Sequence, residues 1–160
     1  MNPLKKIYCR IFQSAFRLAM PFLPYREPDI LNSIHEIPAL FSKQGITSVL
    51  LVTSKTVCKS NGVTNLKKHL ADTNIKCIVY NETCPNPTVN NVEAARTLYV
   101  KENCEALIAF GGGSSIDCAK AIGARIASPN KTVNQMKGLL KVTRKLPILI
   151  AIPTTAGTGS

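Results

Sequence analysis

Apolar positions along this chain fall into two alternating patterns. Four short, nearly continuous apolar runs, Ser48–Thr53, Ile75–Tyr80, Ala106–Phe110 and Leu146–Ile152, have the length and β-branched content of strands buried on both faces. Pro147 fits only at the beginning of the last of these. Between them the spacing changes to that of helices, over Val63 to Ala71, Val89 to Glu102 and Ser115 to Ala127. In the second of these Val92, Ala95, Leu98 and Tyr99 share one side. The order β-α-β-α-β-α-β predicts an α/β fold, a parallel sheet with helices on both faces. Upstream, Ile7, Ile11, Ala15, Leu18 and Phe22 recur at helical spacing. Pro21, Pro24 and Pro28 then mark a turn region, and a short helix is predicted from His35 to Lys43 with Pro38 in its first turn. Ser128 to Lys145 is polar and basic and reads as a loop with one short helix.

Composition narrows the possibilities. At 160 residues, 45% hydrophobic and 18% charged, the chain can build one globular core. No apolar run reaches the ~18–20 residues needed to cross a bilayer. The net charge of +11 is unevenly placed: residues 1–26 and 118–160 hold twelve Lys and Arg and no acid, while 27–117 hold eight bases and nine acids. No aromatic-interleaved basic stretch or nucleic-acid motif accompanies that charge, so neither nucleic acid nor membrane is expected as a partner. In the basic N-terminal stretch Arg10, Gln13 and Arg17 interrupt any signal-peptide core, and no A-x-A cleavage site follows. It reads as a peripheral helix packing on its own domain or on further polypeptide, with a transit peptide or membrane-surface helix as the alternative. The six cysteines form no CxxC pair, and several sit in apolar runs, as expected of reduced, mostly buried thiols in a cytoplasmic protein.

The chemistry concentrates in the loops after the strands, where open α/β sheets bind ligands. Gly111-Gly112-Gly113-Ser114 joins a strand directly to a helix. One glycine serves a tight turn; three followed by Ser also let a ligand approach the backbone, where free N–H groups and the helix dipole favour an anion such as a pyrophosphate. The run is neither a P-loop nor GxGxxG. Asp117, expected in the first helical turn, either complements the dipole or hydrogen-bonds substrate or nicotinamide, and Lys120 is placed to pair with it. Pro153-Thr154-Thr155-Ala156-Gly157-Thr158-Gly159-Ser160 offers hydroxyls and accessible backbone suited to phosphate and ribose oxygens.

The segments Phe110-Gly-Gly-Gly-Ser-Ser-Ile-Asp117-Cys-Ala-Lys120 and Pro153 to Ser160, with Asn86-Pro87-Thr88 between strands two and three, resemble in order and spacing the N-terminal signatures of the iron-containing alcohol dehydrogenases. The resemblance implies a Rossmann-like domain at 48–160 binding NAD or NADP, preceded by a lead-in over 1–47. In the family an all-helical metal domain follows; it is absent here, so the fold is expected to be incomplete. By the same resemblance Gly112, Gly113 and Ser114 hold the pyrophosphate, Asp117 lies near the nicotinamide, Thr154 and Thr155 contact the cofactor with Thr158 nearby, and Asn86 lines the cleft. Many NAD-using members carry Asp after the first strand; here Ser54 stands there, followed by Lys55, which makes NADP plausible.

The family's ligands for Fe or Zn, one Asp and three His, belong to the missing domain. The two histidines here, His35 and His69, match no such motif, and His69 reads as an exposed helix residue; no metal site is expected, and no catalytic residue is assigned. What the resemblance implies for a complete protein is reversible hydride transfer between an alcohol or aldehyde and nicotinamide, in a homodimer; the fragment alone is expected to be inactive. A glycerol-dehydrogenase-like or dehydroquinate-synthase-like relative, or a non-catalytic nucleotide-binding fragment, is the alternative.

Overall fold

The computed structural model describes residues 3–19, 27–138 and 141–156. Two compact units divide between Ile30 and Leu31. The first contains helix α1 (Pro3–Ala19), with Arg17 in its last turn and Ile7, Tyr8, Ile11, Phe12 and Leu18 exposed. The rings of Tyr8, Phe12 and Phe16 stack one turn apart along it.

In the second unit the elements are α2 (Glu36–Lys43), β1 (Ser48–Val52), α3 (Asn61–Asp72), β2 (Lys76–Tyr80), α4 (Val89–Lys101), β3 (Ala106–Gly111), α5 (Gly113–Ala127) and β4 (Ile148–Pro153), with single 3-10 turns at Val57–Lys59 and Asn134–Met136. Among the described residues the strands form one parallel sheet in the order β2-β1-β3-β4. Because β1 and β3 lie side by side while the chain leaves them toward opposite sides, the sheet has its topological switch point between them.

Both sheet faces are covered, which explains the lack of alternation in the strands. Leu50 and Val52 of β1 with Leu107 and Ala109 of β3 pack under α4 and α5, through Val92, Ala95, Ile116 and Ile122. On the other face Val49, Leu51, Ala106 and Ile108 meet α2 and α3, through Ile37, Phe41, Val63 and Leu66. The short helix α2, grouped with the lead-in at 1–47 from sequence, thus packs in the core of the sheet unit. β1 and β3 are buried throughout, whereas β4, equally apolar, is half-exposed at the sheet's edge.

Three helix-to-strand turns repeat one device. After α2, α3 and α4 a residue in left-handed conformation follows the cap (Gly45, φ +70°; Asn74, φ +59°; Asn103, φ +52°). The next residue donates its N–H back into the last turn: Ile46 to Phe41 O, Ile75 to Leu70 O and Cys104 to Tyr99 O, each 2.9 Å. These carbonyl-capping turns aim the chain into β1, β2 and β3. Helix α3 begins earlier than its apolar spacing suggests because Ser60 Oγ accepts the Val63 N–H and caps it.

Candidate functional site

A cleft of about 310 Å³ opens beyond the carboxyl ends of β1 and β3, at the switch point. Ser54, Thr83, Cys84, Pro85, Gly112, Gly113, Ser114, Ser115 and Thr155 line it. No lining side chain is charged, so any affinity for an anion must come from hydrogen-bond donors and the α5 dipole.

The donors follow from how α5 starts. Gly112 caps it without a side chain, and its carbonyl accepts from Ser115 N (3.0 Å) and Ile116 N (3.3 Å). The N–H groups of Gly113 and Ser114 meet no acceptor among the described residues, so both are available to a ligand. Gly111 has φ +152°, a conformation side chains rarely adopt. At Gly112 a β-carbon would lie 3.1 Å from Thr155 Oγ1, so the absence of a side chain lets Thr155 stand close over the loop.

The opposite wall is the β2–α4 loop, and Asn91 of α4 holds it. Its Nδ2 donates to Tyr80 Oη (3.3 Å) and Glu82 O (3.2 Å), while its Oδ1 accepts from Thr88 N (3.0 Å) and Cys84 Sγ (3.1 Å). Thr88 Oγ1 accepts the Asn91 N–H in return, completing a capping box. In Asn86-Pro87-Thr88, Asn86 supplies a left-handed φ of +54° and Thr88 the helix cap. Behind this wall Thr83 Oγ1 is buried without a hydrogen-bond partner of ordinary geometry; the Cys118 thiol, pushed up to about 11 by burial and eased by Thr83, is its neighbour. Thr53 Oγ1 is buried and unpartnered in the same way.

The structure thus brings together Ser54, Gly112, Gly113, Ser114 and Thr155 of the residues expected from sequence. Asn86 and Thr154 are exposed and outside the lining; the Thr154 N–H donates to Gly111 O (2.9 Å), which ties the two loops. Thr158 lies outside the described residues. Asp117 does not sit in the first turn, because α5 begins at Gly113 and Asp117 is its fifth residue, exposed, with no ion pair to Lys120. His69 is half-buried rather than exposed: its ring meets that of His35 edge-on at 4.3 Å, and neither lines the cleft. No group of three or more His, Cys, Asp or Glu among the described residues is placed to hold a metal ion. Sequence reasoning placed the loop 81–88 at this end of the sheet but singled out none of Thr83, Cys84, Pro85 and Ser115. The Pro-Asn-Pro turn was the available signal for the first three.

Residues 31–160 match the protein family described as "Iron-containing alcohol dehydrogenase". The chain is 38% identical over 133 residues to a choline dehydrogenase of Bacillus subtilis (strain 168), a match covering 82% of this chain and 32% of the relative. Among solved structures it is similar to an alcohol dehydrogenase from Oenococcus oeni, with a TM-score of 0.74 and 33% identity, covering 79% of this chain and 33% of the other. A sulfoacetaldehyde reductase from Bifidobacterium kashiwanohense, solved in complex with NAD+, aligns with a TM-score of 0.69 and 29% identity, covering 80% of this chain and 34% of the other. The chain spans about a third of the length of the curated relatives it matches.

Proposed function

The chain belongs to the iron-containing alcohol dehydrogenase family, and on that footing we propose that its cleft binds the pyrophosphate and ribose of a nicotinamide dinucleotide for reversible hydride transfer between a small alcohol and its aldehyde. The observation that carries the reading is the pair of unpartnered N–H groups, Gly113 and Ser114, at the start of α5 beside the switch point. When bound, the nicotinamide would supply the hydride acceptor and donor. This chain's own part is to bind and orient. The α5 amides hold the pyrophosphate, Thr155 Oγ offers a hydroxyl from the β4 side, and Ser54 flanks the β1 side. Asp117, exposed on the second turn of α5, is assigned to the nicotinamide end by family likeness, as are Asn86, Thr154 and Thr158 to the cofactor. For the complete protein the reading includes a cytoplasmic homodimer; six free cysteines fit the reducing compartment.

Titration with NADH followed by fluorescence tests the reading. Saturable binding is expected, and Gly112→Ala should weaken it by roughly tenfold, because the new methyl displaces Thr155 and crowds the phosphate. A folded protein that shows no saturable binding overturns it.

A further inference from the structure

We propose that Glu82 sets the cofactor preference of this cleft, admitting NAD and disfavouring the 2′-phosphorylated NADP. The proposal rests on the dinucleotide reading above. With a pyrophosphate on the amides of α5, above β3, the strand order β2-β1-β3-β4 leaves one nucleoside to lie over the ends of β1 and β2 and the other over β4. Placing the adenosine on the β1–β2 side, the side of Ser54, makes the residues there the ones that meet the ribose whose 2′-hydroxyl is phosphorylated in NADP.

Ser54 lines the cleft there, but its Oγ accepts the Val57 N–H (3.3 Å) and its carbonyl the Cys58 N–H (2.9 Å), so its acceptors serve its own turn. The neighbours of the lining residues Ser54 and Thr83 carry the charge. Lys55 Nζ lies 3.8 Å from Glu82 Oε1, with both side chains well exposed. Glu82 is anchored through its backbone: its carbonyl accepts from Asn91 Nδ2 (3.2 Å), and the next N–H, of Thr83, donates to Thr53 O (3.3 Å). Glu82 thus has its backbone fixed beside the lining residue Thr83, at the edge of a cleft whose own lining is uncharged, and its exposed carboxylate faces Lys55.

This arrangement treats the two cofactors differently. Ribose hydroxyls are donors, and an ionised carboxylate accepts from them. A 2′-phosphate has only acceptors and close to two negative charges at neutral pH. At this lip it meets the Glu82 carboxylate, and the cation that could attract it, Lys55, is already paired. Lys55 alone favours NADP; Lys55 paired with Glu82 does not. Both groups are hydrated, so the discrimination should be about tenfold rather than thousands-fold, and it should shrink with added salt.

Dissociation constants for NADH and NADPH, measured by fluorescence on the full chain, test the proposal. Wild type is expected to bind NADH about tenfold more tightly. Glu82→Gln should bring the two within about twofold, mainly by tightening NADPH, and adding Lys55→Gln to Glu82→Gln should remove that gain. An exposed substitution leaves folding intact, which the melting temperature of each variant checks. Wild type binding NADPH as tightly as NADH, or an unchanged ratio in Glu82→Gln, overturns the assignment of Glu82. Failure of both cofactors to bind any variant overturns the dinucleotide reading with it.

Discussion

Gly111 and Ser115 occupy one steric envelope: a β-carbon on Gly111 would lie 2.5 Å from Ser115 Oγ and 3.0 Å from its Cβ. With φ at +152°, the glycine is required twice over, by its own backbone and by the side chain one turn along α5. Gly111→Ala should therefore cost about 2–3 kcal/mol of stability and weaken dinucleotide binding. In the double variant Gly111→Ala with Ser115→Gly the steric part is relieved and the φ strain remains. Chemical denaturation should show a smaller loss from Gly111→Ala in the Ser115→Gly background than in wild type; an equal loss in both would place the whole cost in the backbone.

Asn91 is the second control point, because a single amide ties Tyr80, Glu82, Cys84 and Thr88 together. Asn91→Ala removes the N3 side chain of the α4 capping box and releases the cleft wall, with an expected loss of about 1 kcal/mol and weaker NADH binding. Asn91→Asp separates the two effects. Its carboxylate can still cap Thr88 but cannot donate to Tyr80 Oη or Glu82 O. Stability close to wild type with impaired binding is the expected result, read from melting temperature and fluorescence titration together. Unimpaired binding in both variants would show that the wall does not need this anchor.

The sequence and the structure agree where the physics is local or periodic. Unbroken apolar runs such as Val49 to Val52 marked strands covered on both faces, and the glycine run marked the tight turn from β3 into α5. Ser54, Gly112, Gly113, Ser114 and Thr155 line the cleft because each lies within three residues of a strand's carboxyl end. What was not legible depended on long-range placement. Thr83, Cys84 and Pro85 also follow a strand, β2, but their loop is held by Asn91 on another element, a contact the sequence does not reveal. The position of Asp117 turned on where α5 begins: a glycine cap adds two residues that apolar spacing does not register. His69 met His35 because α2 packs against the same sheet face as α3. The charge pairing at Lys55 is of the same kind, since Glu82 lies 27 residues on and reaches it across adjacent strand ends.

The Arg125 guanidinium, nearly buried, ties α5 to α4 and carries the clearest pH signature. Its Nε and Nη2 donate to the Glu93 carboxylate, the latter at 3.2 Å, and its Nη1 donates to the carbonyls of Ser128 (3.1 Å), Pro129 (3.2 Å) and Lys131. The hydrogen bond from Arg125 holds the Glu93 carboxyl below its ordinary range, against an opposing effect of burial, with further lowering by the charges of Arg125 and Arg96. A carboxylate depressed on folding stabilises the protein fully above its ordinary pKa near 4.5, and that contribution is lost as pH falls through that value toward the lowered one. Glu102, held down by Lys76, and Glu105, held down by the Thr47 N–H, act in the same direction, so stability should fall from neutral pH toward pH 4 even without Arg125. Arg125→Met keeps the aliphatic stem and removes the donors. It should cost about 2–3 kcal/mol at neutral pH and less at pH 4, where the Glu93 pairing has already weakened in the wild type. Urea midpoints at the two pH values for both proteins give the comparison; an equal loss at both would mean that Arg125 stabilises only through the carbonyls after α5 and not through Glu93.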